Sequence, residues 1–202
     1  MSTIGILAIQ GDFEAHRKVL ERLEMPWRFV RKASELEGLS GLILPGGEST
    51  TLLKFLEEER LWESMRRFAD SHPVFGTCAG AILMAEQVEN PPQRSLGLVP
   101  MTVRRNAYGR QLASSVRTLE PSAELQTGPE AGQPLEAVLI RAPMILEVAP
   151  EVQVLARLDG HPVLVRLGSK LAGTFHPELT FDTRVHRYFC QMVCSLKTPS
   201  GP

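Results

Sequence analysis

The sequence predicts an α/β fold, a mostly parallel sheet covered by helices. Three observations lead there. Short apolar, β-rich runs alternate with amphipathic stretches through the first half of the chain, the pattern of strands joined by crossover helices. Turn residues such as Pro45-Gly46-Gly47 fall at the ends of the apolar runs. The chain has 202 residues, 43% hydrophobic and 22% charged, which suits one α/β domain with a real core.

The first strand is expected over 3–9, followed by Gln10-Gly11 and then Asp12, a good helix N-cap. Phe13, Val19, Leu20 and Leu23 share spacing among charged neighbours and predict a helix over 13–23. Pro26 leads into a second strand at 27–30, and a third at 42–44 is stopped by Pro45-Gly46-Gly47. Ser49 or Thr50 is expected to cap the next helix, which runs through Phe55 and Leu56. Residues 61–69 read as an amphipathic helix, 73–76 as a fourth, buried strand and 79–85 as a buried helix.

After Asn90-Pro91-Pro92 the character changes. Segments near 98–103, 112–116, 137–140 and 152–158 look like strands with irregular connections. Residues 121–134 carry three Pro and two Gly and are expected to form a surface loop. The runs 162–167 and 170–175, joined by Gly168-Ser169, predict a β-hairpin, and 183–194 a closing helix. No internal repeat is visible. A single domain over 1–196 with a frayed tail at 197–202 is expected.

Composition excludes several functions. Lys and Arg total 22 against 23 Asp and Glu, so a basic footprint for nucleic acid is absent. No apolar run approaches the roughly 20 residues that a membrane helix needs. The first residues lack a positive leader, and three cysteines are too few for a disulfide scaffold. A cytoplasmic enzyme or binding domain is expected.

Gly76-Thr77-Cys78-Ala79-Gly80 lies between a predicted strand and a predicted helix, the setting of a nucleophile elbow. Its glycines allow a sharp turn, and a helix N-terminus at Cys78 would favour the nucleophilic thiolate. A small, inert, buried cysteine is the alternative. Of five histidines, His176 stands out in His176-Pro177-Glu178. Proline holds the preceding residue extended, and positions i and i+2 then face one side, so Glu178 can orient the imidazole. A solvent-facing strand end is the alternative. His16, His72, His161 and His186 lack such a pattern and read as surface or helix-face residues. Gly46-Gly47 can aim backbone N–H groups at a developing oxyanion, although a plain strand–turn–helix connection has the same appearance. His186, Cys190 and Cys194 span about 12 Å of helix rise, too far for one ion, so no metal site is expected.

Together these strings resemble the class I glutamine amidotransferases, and within them the glutaminase subunits that serve pyridoxal phosphate synthases. The resemblance rests on Gln10-Gly11 with Glu14 and His16, on Leu44-Pro45-Gly46-Gly47-Glu48-Ser49-Thr50-Thr51 and on Phe75-Gly76-Thr77-Cys78-Ala79-Gly80. It extends through Arg105-Asn106-Ala107-Tyr108-Gly109-Arg110-Gln111, Ile140-Arg141-Ala142-Pro143 and Phe175-His176-Pro177-Glu178-Leu179-Thr180. It implies a flavodoxin-like, doubly wound α/β domain with helices on both faces of the sheet and the site at its carboxyl edge.

By position, the resemblance makes Cys78 the nucleophile, His176 the base and Glu178 the orienting acid. It places Gly47, Glu48, Ser49, Arg105, Ile140 and Arg141 around L-glutamine. Gly46, Gly47 and Ala79 are expected to form the oxyanion hole, with Gln10 in support. The implied partner is a barrel-shaped pyridoxal phosphate synthase subunit that consumes the ammonia, and no cofactor is implied. A stand-alone γ-glutamyl hydrolase of the same fold and a non-catalytic binding module are the rival readings. A glutaminase that serves a separate synthase is also expected to be incomplete until docking, with the Gly46-Gly47 peptide as the part free to rotate.

Overall fold

Seven strands form the central sheet of the computed structural model, which describes residues 2–107 and 114–196. Five are mutually parallel: β1 (Ile4–Leu7), β2 (Trp27–Val30), β3 (Gly41–Leu44), β4 (Val74–Thr77) and β12 (Lys170–Gly173). β11 (His161–Leu167) and β10 (Gln153–Leu158) extend one edge antiparallel, giving the order β10-β11-β12-β4-β3-β1-β2. The expected hairpin is therefore present, turning at Gly168 and joining the parallel sheet through its second strand.

The period of two along each strand divides the core into two layers. Leu42, Leu44 and Val74 face α2 (Ser49–Glu58), α3 (Leu61–Ser71) and α4 (Ala79–Met84). Ile4, Ile6, Ile43 and Phe75 face the other way, against α1 (Phe13–Arg22) and α5 (Arg184–Ser195). Helices on both faces of a mostly parallel sheet make this the doubly wound architecture expected.

Two caps differ from expectation. α2 is capped by Glu48, whose carboxylate accepts from the N–H groups of Thr50 and Thr51, and not by Ser49 or Thr50. Glutamate is long enough to fold back over the open first turn, which leaves Ser49 inside the helix. Asp12 stands before α1 but makes no side-chain cap bond. Its carboxylate is directed toward His176 instead.

The second half departs further. β5 (Ala85–Glu89), β6 (Val99–Arg104) and β9 (Met144–Val148) form a three-stranded sheet, and β7 (Ser114–Leu119) pairs with β8 (Leu135–Ile140) in a ribbon. β5 and β9 were not expected. Only Ala85 and Val88 are buried in β5, so its sequence shows no alternation. The helix expected over 79–85 ends at Met84, and Ala85 opens β5. The start of the strand expected at 112–116, the Tyr108 to Gln111 string and the expected tail at 197–202 lie outside the described residues.

Residues 121–134 are more structured than a surface loop. A short 3-10 helix (Ala123–Leu125) buries Leu125. Glu130 then accepts from the N–H and hydroxyl of Thr183 and from Arg187, covering the start of α5. The buried Arg184 guanidinium donates to the carbonyls of Gln133 and Pro134 at 2.7 Å each.

Candidate active site

β12, β4, β3 and β1 are adjacent and parallel, so their carboxyl ends lie along one edge of the sheet. Each is followed at once by a segment singled out above: His176 after β12, Cys78 after β4, the glycine turn after β3 and Gln10 to Asp12 after β1. Chain-distant motifs thus meet through strand order alone.

Cys78 sits at the turn from β4 into α4 with φ 48° and ψ −104°, a conformation that non-glycine residues rarely adopt. Its N–H donates to the Gly173 carbonyl at 2.8 Å, so the turn is tied to β12. Gly80 is required sterically, because a Cβ there would run into the Leu44 carbonyl oxygen. Helix and strand then approach closely, and Cys78 is held at the elbow, nearly buried but lining the cleft.

His176 follows Phe175 and enters a short 3-10 helix (Pro177–Leu179). Its Nδ1 lies 2.7 Å from Glu178 Oε1, and both side chains are buried. Burial disfavours the charged imidazole, but hydrogen bonds with Cys78 and Glu178 outweigh it, and its pKa is raised to about 10. Burial also pushes the Glu178 carboxyl up, against the pull of His176. Asp12 Oδ2 is 3.4 Å from His176 Nδ1, so two carboxylates face one ring nitrogen. Asp12, His176 and Glu178 place potential ligand atoms within 4.8 Å of one another. The 2.7 Å His–Glu separation is that of a hydrogen bond.

In front of this pair opens a cleft of about 200 Å³. Gly47, Glu48, Ser49, Cys78 and His176 line it from the parallel sheet, and Arg105, Ile140 and Arg141 from the second half. Sequence reasoning missed Asp12, Ile82, Asn106 and Pro143, which line the same cleft. Asn106 and Pro143 belong to the Arg105-Asn106 and Ile140-Arg141-Ala142-Pro143 segments, but nothing local marks their side chains. Asp12 has the look of a helix cap in sequence; its place at the carboxyl end of the first strand is the signal that points to the cleft.

Several expected binding residues are held by each other. Arg105 donates to Thr50 Oγ1 at 3.0 Å and lies 3.6 Å from Glu48 Oε1. Glu48, already a cap, has its pKa held at about 2, since the Thr50 and Thr51 hydrogen bonds overcome burial. Ser49 Oγ donates to Gln93 Oε1 at 3.0 Å. Cys78 Sγ is 4.0 Å from the Ile140 carbonyl oxygen.

Of the three residues expected at the oxyanion hole, Gly46 differs: its N–H is donated to Thr77 Oγ1 at 3.1 Å. The Gly46 carbonyl abuts Gly11, where any Cβ would collide with it. In a planar trans peptide the Gly47 N–H therefore points away from Gly11. Ala79 begins α4, so its N–H is one of the helix's free first donors. Gln10 brackets the turn from outside the cleft lining, donating to the Glu48 carbonyl at 2.8 Å and accepting from the Glu48 N–H at 3.1 Å.

Two histidines correct the sequence reading. His16 and His186 are fully buried, on the inner faces of α1 and α5, and are not surface residues. They touch each other, and His16 reaches the back of the His176–Glu178 pair. Their contacts join residues far apart in sequence, which no local pattern announces.

Residues 6–195 match the SNO glutamine amidotransferase family. The chain belongs to this family. It is 55% identical over 190 residues to the pyridoxal 5'-phosphate synthase subunit PdxT of Koribacter versatilis (strain Ellin345), covering 94% of this chain and 95% of that protein. With the PdxT of Solibacter usitatus (strain Ellin6076) it shares 50% identity over 94% of this chain and 98% of the relative. A crystal structure of a glutamine amidotransferase superimposes with a TM-score of 0.86 at 43% identity, over 95% of this chain and 98% of the other. A glutamine amidotransferase from Thermotoga maritima, 15% identical with a TM-score of 0.60 over 98% and 86% of the two chains, shares the fold.

Proposed function

We propose that this member of the family hydrolyses L-glutamine to L-glutamate and ammonia as the glutaminase subunit of a pyridoxal 5'-phosphate synthase. The observation that carries the reading is the meeting of Cys78 with the buried His176–Glu178 pair at one sheet edge, beside a cleft of amino-acid size. Full-length relatives that bear the PdxT name support the partner assignment.

The Cys78 thiolate attacks the side-chain amide carbon of glutamine, and the developing oxyanion meets the N–H groups of Gly47 and Ala79. The protonated His176 gives its proton to the departing ammonia, leaving a γ-glutamyl thioester on Cys78. The neutral imidazole then takes a proton from water as the oxygen attacks, and glutamate is released with the thiolate restored. Glu178 keeps the His176 ring oriented throughout. Gly47, Glu48, Ser49, Arg105, Ile140 and Arg141 surround the amino-acid end of the substrate. No step uses a metal or organic cofactor. The ammonia passes to the synthase subunit, a barrel that consumes it. Among the described residues no helix is long and apolar enough to cross a membrane, and the proposed setting is the cytoplasm.

The test is Cys78→Ala, assayed together with a pyridoxal phosphate synthase subunit. Glutamine-dependent product formation should vanish while synthesis from added ammonium salt continues. Substantial glutamine-dependent synthesis by the variant would remove Cys78 from the mechanism. Wild-type cleavage of γ-glutamyl peptides, with no response to the synthase subunit, would favour a stand-alone hydrolase.

A further inference from the structure

Behind the His176–Glu178 pair lies a second layer of polar groups that the reaction above does not use. His16 on α1, His186 on α5, Thr77 at the end of β4 and Glu178 are all buried. His16 Nε2 is 3.1 Å from Thr77 Oγ1 and 3.5 Å from Glu178 Oε1. His16 Nδ1 is 2.9 Å from His186 Nε2. Thr77 Oγ1 in turn accepts the Gly46 N–H at 3.1 Å. One imidazole therefore touches the acid that orients His176 and the hydroxyl that holds the glycine turn.

The protons can be placed by elimination. Burial holds both rings in the neutral form, so each carries one N–H. If His16 donated from Nδ1 to His186 Nε2, its Nε2 lone pair would face the Glu178 carboxylate. His186 Nδ1, which has no partner among the described residues, would then be a buried donor without an acceptor. In the opposite arrangement His186 Nε2–H donates to His16 Nδ1, and His16 Nε2–H faces Thr77 Oγ1 and Glu178 Oε1. Only a buried ring lone pair is then left unpaired, which costs less than an orphaned N–H. The second arrangement also sets a donor against a carboxylate, and it prevails.

We propose that His16 is a positioning residue for the hydrolysis: its Nε2–H ties the Glu178 carboxylate to the Thr77 hydroxyl, and so locks the triad and the Gly46-Gly47 turn into one register. His186 fixes the His16 tautomer. The inference rests on the glutaminase reading, and it assigns His16 no contact with substrate.

The test compares His16→Leu with His16→Gln, whose side-chain amide carries an N–H to about the position of Nε2. Turnover and KM for ammonia release from glutamine are measured with the synthase subunit present, across pH. For His16→Leu, loss of a buried partner should lower kcat roughly 10- to 100-fold with KM within about threefold. The alkaline limb of activity should move to lower pH as Glu178 loses its alignment. His16→Gln should recover most of both effects. Thr77→Ser should behave like wild type and Thr77→Val like His16→Leu, a comparison that stands even where His16→Leu does not fold.

Equal losses in the Gln and Leu variants, or wild-type kcat and pH profile in His16→Leu, would overturn the proposal. The pH dependence of Cys78 alkylation by iodoacetamide reads the same coupling without turnover. A wild-type chain that releases no ammonia would thus defeat the glutaminase reading, while the alkylation profiles would still decide the role of His16.

Discussion

On the parallel sheet, Cys78, His176 and the glycine turn each leave the end of a strand that is hydrogen-bonded to its neighbour. Arg105, Asn106, Ile140 and Arg141 instead stand at strand ends and connections of the second half. Both regions place residues in rare backbone conformations at the cleft: Cys78 from the first, Asn106 (φ 51°) and Arg141 (φ 44°) from the second. What differs is the support behind them. The parallel edge is backed by two core layers and a buried polar cluster, whereas the second half meets the cleft as a rim. We propose from this a division of labour, with the bond-making groups on the rigid edge and amino-acid recognition shared between Glu48 and Ser49 and the rim. Substitutions on the edge should then act on turnover, and those on the rim on KM.

The largest effect short of removing the thiol is expected at Glu178. Glu178→Gln keeps the shape but removes the charge beside His176 Nδ1. Turnover should fall by about 10³–10⁴, as for the acid of comparable triads, with little change in KM. The sign of the pH effect follows from the raised His176 pKa of about 10. The proton donor to ammonia is present below that value and lost above it, so wild-type activity should decline as pH rises through it. Without the Glu178 charge the imidazolium is less favoured, and the decline should begin at lower pH. A steep rise in KM with turnover intact would make Glu178 a substrate contact and break the division.

Next comes the glycine turn. Gly47 has φ +149°, and a Cβ there would press on the Gln10 amide at 2.7 Å. Gly47→Ala should displace the N–H offered to the oxyanion and lower turnover by roughly 10²–10³. Cys78 alkylation should be nearly unaffected. If docking of the synthase subunit sets this peptide, wild-type turnover at saturating glutamine should be far higher in the complex than alone. Equal turnover would show that the turn is already in its working position.

The same division explains what was legible in the sequence. Most of the first half could be read element by element, because Pro45-Gly46-Gly47 stops β3 and α1 and α3 carry apolar stripes among charged neighbours. Cys78 and His176-Pro177-Glu178 were visible because their chemistry is encoded within a few residues. His16 and His186 were not, since they meet across 170 positions and their meaning lies only in that contact. β5 and β9 escaped because few of their side chains are buried, and those not in strict alternation. Glu48 shows a third case: the residue was found, but its carboxylate also caps α2, a role that the neighbouring Ser49 and Thr50 suggested for themselves.

On the rim, Arg105 offers a smaller effect of the opposite kind. Its guanidinium is steadied by Thr50 and Glu48, and its side chain is only 11% exposed. Arg105→Lys keeps the charge but loses the planar fork. KM for glutamine should rise by about tenfold, near the value of one charge-assisted hydrogen bond, with kcat changed less than about threefold. A loss confined to kcat would place Arg105 with the edge rather than the rim.

The smallest effect concerns the seam between the two regions. Glu130 belongs to the connection in the second half, yet it grips Thr183 and Arg187 at the start of α5, a helix of the parallel core. Burial would raise its pKa, but the Arg187 and Thr183 hydrogen bonds prevail and hold it at about 2. A carboxylate lowered in this way stabilises the fold above its unfolded value near 4.5, and the stabilisation is lost as pH falls through about 2. Glu130→Gln should therefore cost on the order of 1 kcal/mol at neutral pH, the scale of a helix cap. Unfolding by urea at a series of pH values checks this, with the difference between wild type and variant shrinking from pH 4.5 toward 2. A difference that persists at the acid end would mean that shape rather than charge joins the connection to α5. Unchanged glutamine turnover in the variant at neutral pH would show that the seam supports the fold without setting the geometry of the edge.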